Sequence, residues 1–331
     1  MPAAYSSREF PALLASELEP LRIYFEDDQV TEIMANADGS VWIESAGTIH
    51  KSDKKLSEAS RNIILKRTAG LQDKDCVRGE LSSIINTVID GMRISGGLMP
   101  LSRDGSFFSI RKHLPSHLRP SLETLVEWGM LTASQAEIIV DLVITQKLNC
   151  LVVGSTSSGK TTVANAILGK LPSHERVFCI EDAPELHIVV PNKNCLTTDG
   201  DKGLTARELV KLAMRQRPDR LILGETRGDE SFDLVRAMNS GHDGTVSTIH
   251  ASSAAMGLEA LEMLYQMSLP TGASISTEIA QKYIASGVKA LIFAARRYHT
   301  LPDGGQKSIR RVEEICLVKG VLNENYVLEY L

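Results

Sequence analysis

Aromatic residues make up only 5% of the 331-residue chain, so its core must be built from aliphatic side chains. Cysteine is sparse as well: Cys76, Cys150, Cys179, Cys195 and Cys316 are odd in number and include no CxxC pair. That argues against a disulfide framework and a cysteine-type zinc site, and it fits a reducing cytosol. No apolar run reaches the roughly 18 residues that a membrane-spanning helix needs. The opening MPAAYSSREFPALLASELEP lacks a basic stretch followed by an apolar one, so it does not read as a secretory leader. The expectation is a cytoplasmic protein whose membrane role, if it has one, is peripheral. Basic residues are not in excess either: 36 Lys and Arg face 41 Asp and Glu, a net charge of −5. That is not the charge of a nucleic-acid coat, although a local basic patch stays open. With 43% hydrophobic and 23% charged residues, a disordered or fibrous chain is excluded. At about 150 residues per domain, the length suggests two domains.

The clearest break is RKHLPSHLRPSL at 111–122, where Pro115 and Pro120 disfavour helix. It divides an N-terminal domain, 1–117, from a C-terminal one, 118–331. In the first, VTEIMAN and SVWIES read as strands around an Asp38-Gly39 turn, and GTIHKS pairs next after an Ala46-Gly47 turn. Residues 57–69 read as a helix with a Ser cap, and 80–90 (ELSSIINTVID) as a second helix. MRISGG and SFFSIRK read as strands carrying Arg93 and Arg111. The domain is small and α+β. In the second, helices at 121–129 and 132–147 precede LNCLVVG, VFCIED, RLILGE and TVSTIH, which alternate with helical stretches. Runs apolar on both faces and spaced by helices indicate an α/β, mostly parallel sheet. TEIAQKYIA, then KALIFAARR, a Gly304-Gly305 turn and a strand pair complete the pattern.

Gly154-Ser155-Thr156-Ser157-Ser158-Gly159-Lys160-Thr161-Thr162 satisfies GxxxxGK[ST] between an apolar strand and a helix. Such a loop turns backbone N–H groups onto phosphate oxygens, with the helix N-terminus adding positive potential. Lys160 reaches the β- and γ-phosphates and the Thr161 hydroxyl binds Mg²⁺ in this reading, so ATP and Mg²⁺ are the expected cofactors. Downstream, Glu181, Asp182 and Glu185 crowd the end of one apolar strand, and Glu225 ends another. Strand ends of a parallel sheet converge on the ligand crevice. Glu after Gly224 has longer reach than the usual Asp, which suits a general base or water-positioning group. Arg215 and Arg217 precede that strand and Arg227 follows it. GHDGTVSTIHA, 241–251, contributes His242 and His250, of which His250 closes the next strand.

These four elements, in this order, resemble the secretion-ATPase superfamily, the hexameric motors of type IV secretion, type II secretion and type IV pili. GSTSSGKTT is similar to its Walker A loop, IEDAPEL to its acidic box, RPDRLILGETRG to its Walker B strand and GHDGTVSTIHA to its His box. VTEIMANADGSVWIE and SFFSIRK resemble the conjugal-transfer, Trb-type branch. The tetracysteine insert and long N-terminal extension of type II members are absent, which favours type IV secretion or conjugation. The resemblance implies a RecA-like C-terminal domain, a homo-oligomeric and hexameric ring, and attachment to inner-membrane channel proteins. It implies arginines from the N-terminal domain on the phosphates: Arg93 and Arg111, with Arg103 as a further candidate. It implies opening and closing of the domains at the linker on ATP. Among Glu181, Asp182 and Glu185 it does not separate metal from water contacts, and Glu185 stands next to Glu225 as candidate base. It implies no sequence-specific nucleic-acid binding. Rival readings are a pilus assembly or retraction motor, a RecA-like DNA-dependent ATPase with a steep salt dependence, and a nucleotide-gated scaffold without turnover.

Overall fold

The computed structural model describes residues 12–45, 47–71, 76–89, 92–112, 119–199, 203–300 and 306–331. They fall into two compact units, one drawn from Met1–Pro115 with His299–Ser308, the other from Ser116–Tyr298 with Ile309–Leu331.

The first unit opens with α1 (Ala12–Leu18) and α2 (Arg22–Glu26). A meander of β1 (Val30–Ala35), β2 (Ser40–Ser45) and β3 (Thr48–Lys55) follows, then α3 (Glu58–Gly70), which Ser57 caps through the Ser60 N–H. β4 (Ile84–Ile89), β5 (Met92–Gly97) and β6 (Phe107–Lys112) complete one sheet in the order β3-β2-β1-β6-β5-β4. Ile33, Ile43, Ile94, Phe108 and Ile110 bury one sheet face against Leu14, Leu18, Ile64 and Leu65 of α1 and α3.

β4 corrects the helix expected at 80–90. Ile84, Ile85, Thr87, Val88 and Ile89 are β-branched, stiff at χ1 and suited to a pleated surface. They pair antiparallel with β5 from Ile84↔Gly97 to Ile89↔Met92. Ala46, half of the expected linker (113–118) and Gly304-Gly305 lie outside the described residues.

The second unit begins with α4 (Leu122–Glu127) and α5 (Ala133–Ile139), which runs on into a wider π-helical turn, Val140–Thr145. Then come β7 (Cys150–Val153), α6 (Lys160–Leu168), β8 (Val177–Glu181), β9 (Lys193–Thr197), α7 (Ala206–Met214) and β10 (Arg220–Leu223). α8 (Glu230–Met238), β11 (Val246–Ile249), α9 (Ala254–Met267), α10 (Thr277–Gly287), β12 (Ala290–Thr300), β13 (Gln306–Leu322) and β14 (Asn325–Tyr330) follow. The sheet order is β14-β13-β12-β7-β11-β10-β8-β9, and the ladders from β12 to β9 are parallel. Every residue of β7, β8, β10 and β11 is buried, as expected of strands covered on both faces. One apolar cluster packs α7–α10 on one face, and the other packs α4–α6 on the opposite face. β9 and α9 are additions to the elements expected from the sequence. β9 is an edge strand of alternating polarity, KNCLT, whose apolar signal is weak.

Candidate active site

Parallel ladders align the C-terminal ends of β7, β11, β10 and β8 at one edge, so whatever follows each strand meets there. The phosphate loop follows β7. It closes on Gly159, whose φ of 97° is left-handed and disfavoured for any residue with a Cβ, and α6 starts at Lys160. Ser155 and Thr156 are exposed, Ser157 and Gly159 half-buried, and Ser158 buried. Thr161 and Thr162 sit half-buried in the first turn of α6. Lys160 Nζ donates to the carbonyls of Gly154 at 2.9 Å and Ser155 at 3.0 Å, and lies 3.2 Å from His250 Nδ1. Burial pulls its pKa down to about 8, with the Glu225 charge opposing the fall.

His250 follows β11 and Glu225 follows β10. His250 Nε2 lies 2.6 Å from Glu225 Oε1, while Arg227 Nη2 donates to Glu225 Oε2. Arg227 also donates to Asp182 at 3.0 Å and so links two acidic strand ends. The segment carrying Glu225 is fastened to β11: Thr226 N–H donates to Thr248 O at 2.8 Å, and Thr248 Oγ1 donates to Gly224 O at 2.7 Å. Burial, then the charge of Lys160, holds the His250 imidazole below its ordinary pKa.

Glu181 ends β8 and is buried, and its Oε1 accepts the N–H groups of Glu185 at 2.9 Å and Leu186 at 2.8 Å. Burial raises its pKa to about 7 against those donors. Gly224 makes this possible, because a Cβ there would meet Glu181 Cγ at 2.9 Å. Asp182 is exposed and accepts Thr198 Oγ1 at 2.8 Å. The Glu185 carbonyl accepts Arg119 Nη1 at 2.7 Å and Asn165 Nδ2 at 3.1 Å. Neither Arg119 nor Asn165 is a candidate on sequence pattern, since no motif contains them.

Three candidates of the second unit lie at the other end of its strands. His242 precedes β11 and Arg215 and Arg217 precede β10, so they occupy the other edge of the sheet, one four-residue strand or roughly 13 Å away. The GHDG turn that holds His242 serves another purpose: a Cβ at Gly244 would strike Arg220 Nη1 at 2.6 Å. Arg220 is fully buried there and pairs with Glu175 at 2.5 Å. Arg103 lies on an exposed turn between β5 and β6, at the opposite end of β6 from Arg111. Within the first unit, Arg93 and Arg111 are cross-strand partners, and Arg111 pairs with Glu32 of β1 at 2.8 Å.

A glycine-rich phosphate loop on a RecA-like parallel sheet, preceded by a separate antiparallel α+β unit, defines a nucleotide-binding protein of the P-loop class. The chain belongs to the type II/IV secretion system protein family, whose pattern matches residues 15–307. It is 31% identical over 321 residues to the conjugal transfer protein TrbB of Rhizobium radiobacter, covering 94% of this chain and 91% of that one. It is 27% identical over 298 residues to the type IV secretion system protein VirB11 of Bartonella henselae, covering 79% and 83%. In fold it matches the ATPase DotB of Legionella pneumophila with a TM-score of 0.60 at 18% identity, over 92% of this chain and 81% of that one.

Proposed function

We propose that the chain binds and hydrolyses ATP as the motor of a type IV secretion or conjugal transfer system. The observation that carries this reading is the convergence of Lys160, Glu225 and His250 on one strand-end edge beside the phosphate loop. Lys160 and the loop N–H groups hold the phosphates, and Glu225 orients or deprotonates the attacking water. Arg93 and Arg111 neutralise phosphate charge, as the family resemblance implies. The conjugal transfer and type IV secretion relatives support the choice of system.

Mg²⁺ suits the donor set, because Thr161 in the first turn of α6 and Asp182 just past the end of β8 offer hard oxygens. Among the described residues no cluster of three metal-binding side chains occurs, and Mg²⁺ characteristically takes its remaining ligands from phosphate and water. When bound it neutralises charge on the transferred phosphoryl group. Glu181, the other metal candidate, accepts backbone N–H groups at Oε1 and shapes the acidic loop. We further propose a hexameric ring that docks on inner-membrane channel proteins. No described helix is long and apolar enough to cross a membrane.

The test is phosphate release by the purified chain with ATP and Mg²⁺, together with its size in solution with and without nucleotide. Turnover that survives Lys160→Ala, or no turnover at all, overturns the hydrolysis reading. A monomer under every condition overturns the ring.

A further inference from the structure

Resting on the reading that the chain hydrolyses ATP, we propose that Arg119 and Asn165 are positioning residues that lock Glu185 in register with the phosphate-loop helix. Asn165 lies on α6 one turn beyond Thr161, on the same helix face. Its Oδ1 accepts the His187 N–H at 2.7 Å and Arg119 Nη1 at 3.2 Å, and its Nδ2 donates to the Glu185 carbonyl at 3.1 Å. Arg119 Nη1 donates to that same carbonyl at 2.7 Å. One amide side chain therefore grips the acidic loop at two backbone groups two residues apart, and a guanidinium reinforces the grip.

The other side of the same residue is held as well. The Glu185 N–H donates to Glu181 Oε1 at 2.9 Å. With its N–H tied to Glu181 and its C=O tied to Arg119 and Asn165, the backbone of Glu185 has little freedom to rotate. That fixes the direction in which its Cα–Cβ bond leaves the loop. A charge-assisted bond such as that of Arg119 is about twice as strong as a neutral one, so the guanidinium is the stronger half of the clamp. Residues 119, 165 and 185 are far apart in the chain, and the clamp serves to relate acidic loop to phosphate loop. A misplacement of about 1 Å caused by a change far from the chemistry can lower a rate roughly 10²-fold, which sets the scale when the acidic loop shifts against the phosphate loop.

The experiment uses the full chain with Arg119→Met, Arg119→Lys and Asn165→Ala. Phosphate release is followed across ATP concentrations, and affinity is measured with a fluorescent ATP analogue. Arg119→Met and Asn165→Ala are expected to lower kcat by about 10- to 100-fold. Analogue affinity should stay within about twofold of the parent, which separates positioning from loss of the phosphate loop. Arg119→Lys, which keeps a cationic donor, should recover most of the lost rate. Parent-like kcat in Arg119→Met, with or without a lower Tm, overturns the inference, as does an affinity that weakens in step with kcat. If Asn165→Ala does not fold, the Met and Lys variants of Arg119 decide alone. A parent chain that releases no phosphate sinks the hydrolysis reading, whereas an active parent with unimpaired variants sinks this inference only.

Discussion

His250 and Glu225, on successive strand ends of the parallel sheet, meet with Nε2 2.6 Å from Oε1. Lys160 Nζ stands 3.2 Å from Nδ1 and 3.5 Å from Nε2 of the same ring, so the imidazole lies between the phosphate-loop ammonium and the proposed base. Lys160, His250 and Glu225 thus form one polar cluster, in which burial and then the Lys160 charge hold the imidazole below its ordinary pKa.

The first prediction tests that base. Glu225→Gln keeps the shape but cannot take a proton from water, so kcat should fall by about 10²–10⁴-fold. Nucleotide affinity should be retained, and any ATP-dependent assembly should become more persistent because bound ATP is no longer consumed. Single-turnover phosphate release and nucleotide retention check it. Near-parent turnover would move the base to Glu185.

Lys160 carries the second. Lys160→Ala should lower hydrolysis by more than about 10²-fold, because the side chain that stabilises the developing charge is gone. Its far-UV spectrum and Tm should match the parent, since the Nζ hydrogen bonds to protein groups end on two loop carbonyls and His250. A pH dependence follows from burial, which brings the free ammonium down to about 8. Phosphate favours the charged form and raises that pKa on binding. Affinity should therefore be level below pH 8 and weaken above it, as binding comes to require proton uptake. Titrations of ATP affinity from roughly pH 6.5 to about pH 9.5, which bracket the Lys160 pKa of about 8, check this, and a flat profile sinks it.

Gly224→Ala is the third. The new methyl would sit 2.9 Å from Glu181 Cγ, and Glu181 cannot retreat without releasing the Glu185 and Leu186 N–H groups. Overpacking of this kind destabilises by about 1–3 kcal/mol. Urea unfolding should show that loss, together with reduced turnover. A variant with parent stability and parent rate would mean that the acidic loop adjusts freely.

Chemistry away from the nucleotide supplies the fourth. Cys195 on β9 is exposed and stands in register with buried Cys179 on β8. The neighbouring Cys179 sulfur, with help from Lys193 and against partial burial, pulls the Cys195 thiol down to about 6. Its thiolate should therefore dominate at neutral pH, and alkylation by iodoacetamide should plateau above pH 7 and decline below pH 6. Peptide mapping distinguishes Cys195 from the buried Cys150, Cys179 and Cys316. A rate still climbing through pH 8.5, as for an ordinary thiol, contradicts the prediction.

The contiguous loop Gly154–Thr161 was legible because its chemistry depends on adjacent backbone N–H groups, and adjacency is what a sequence records. The apolar strands β7, β8, β10 and β11 were legible because burial on both faces leaves an unbroken run of aliphatic residues. From a parallel sheet it followed that Glu225 and His250, both at strand C-termini, would share an edge. The same rule places His242 and Arg217 at the other edge, since each precedes its strand, and the motif spacing alone hid this. The β4 segment reads as a helix in the sequence because IINTVI is short, and only its pairing with β5 decides its conformation. β9 escaped because a half-exposed edge strand lacks the run that marks a central one. Tertiary structure alone brought Arg119, Asn165 and Glu185 together and set Glu181 against Gly224. Those contacts join segments by strand order and helix packing, and one-dimensional spacing carries no information about which loop will face which.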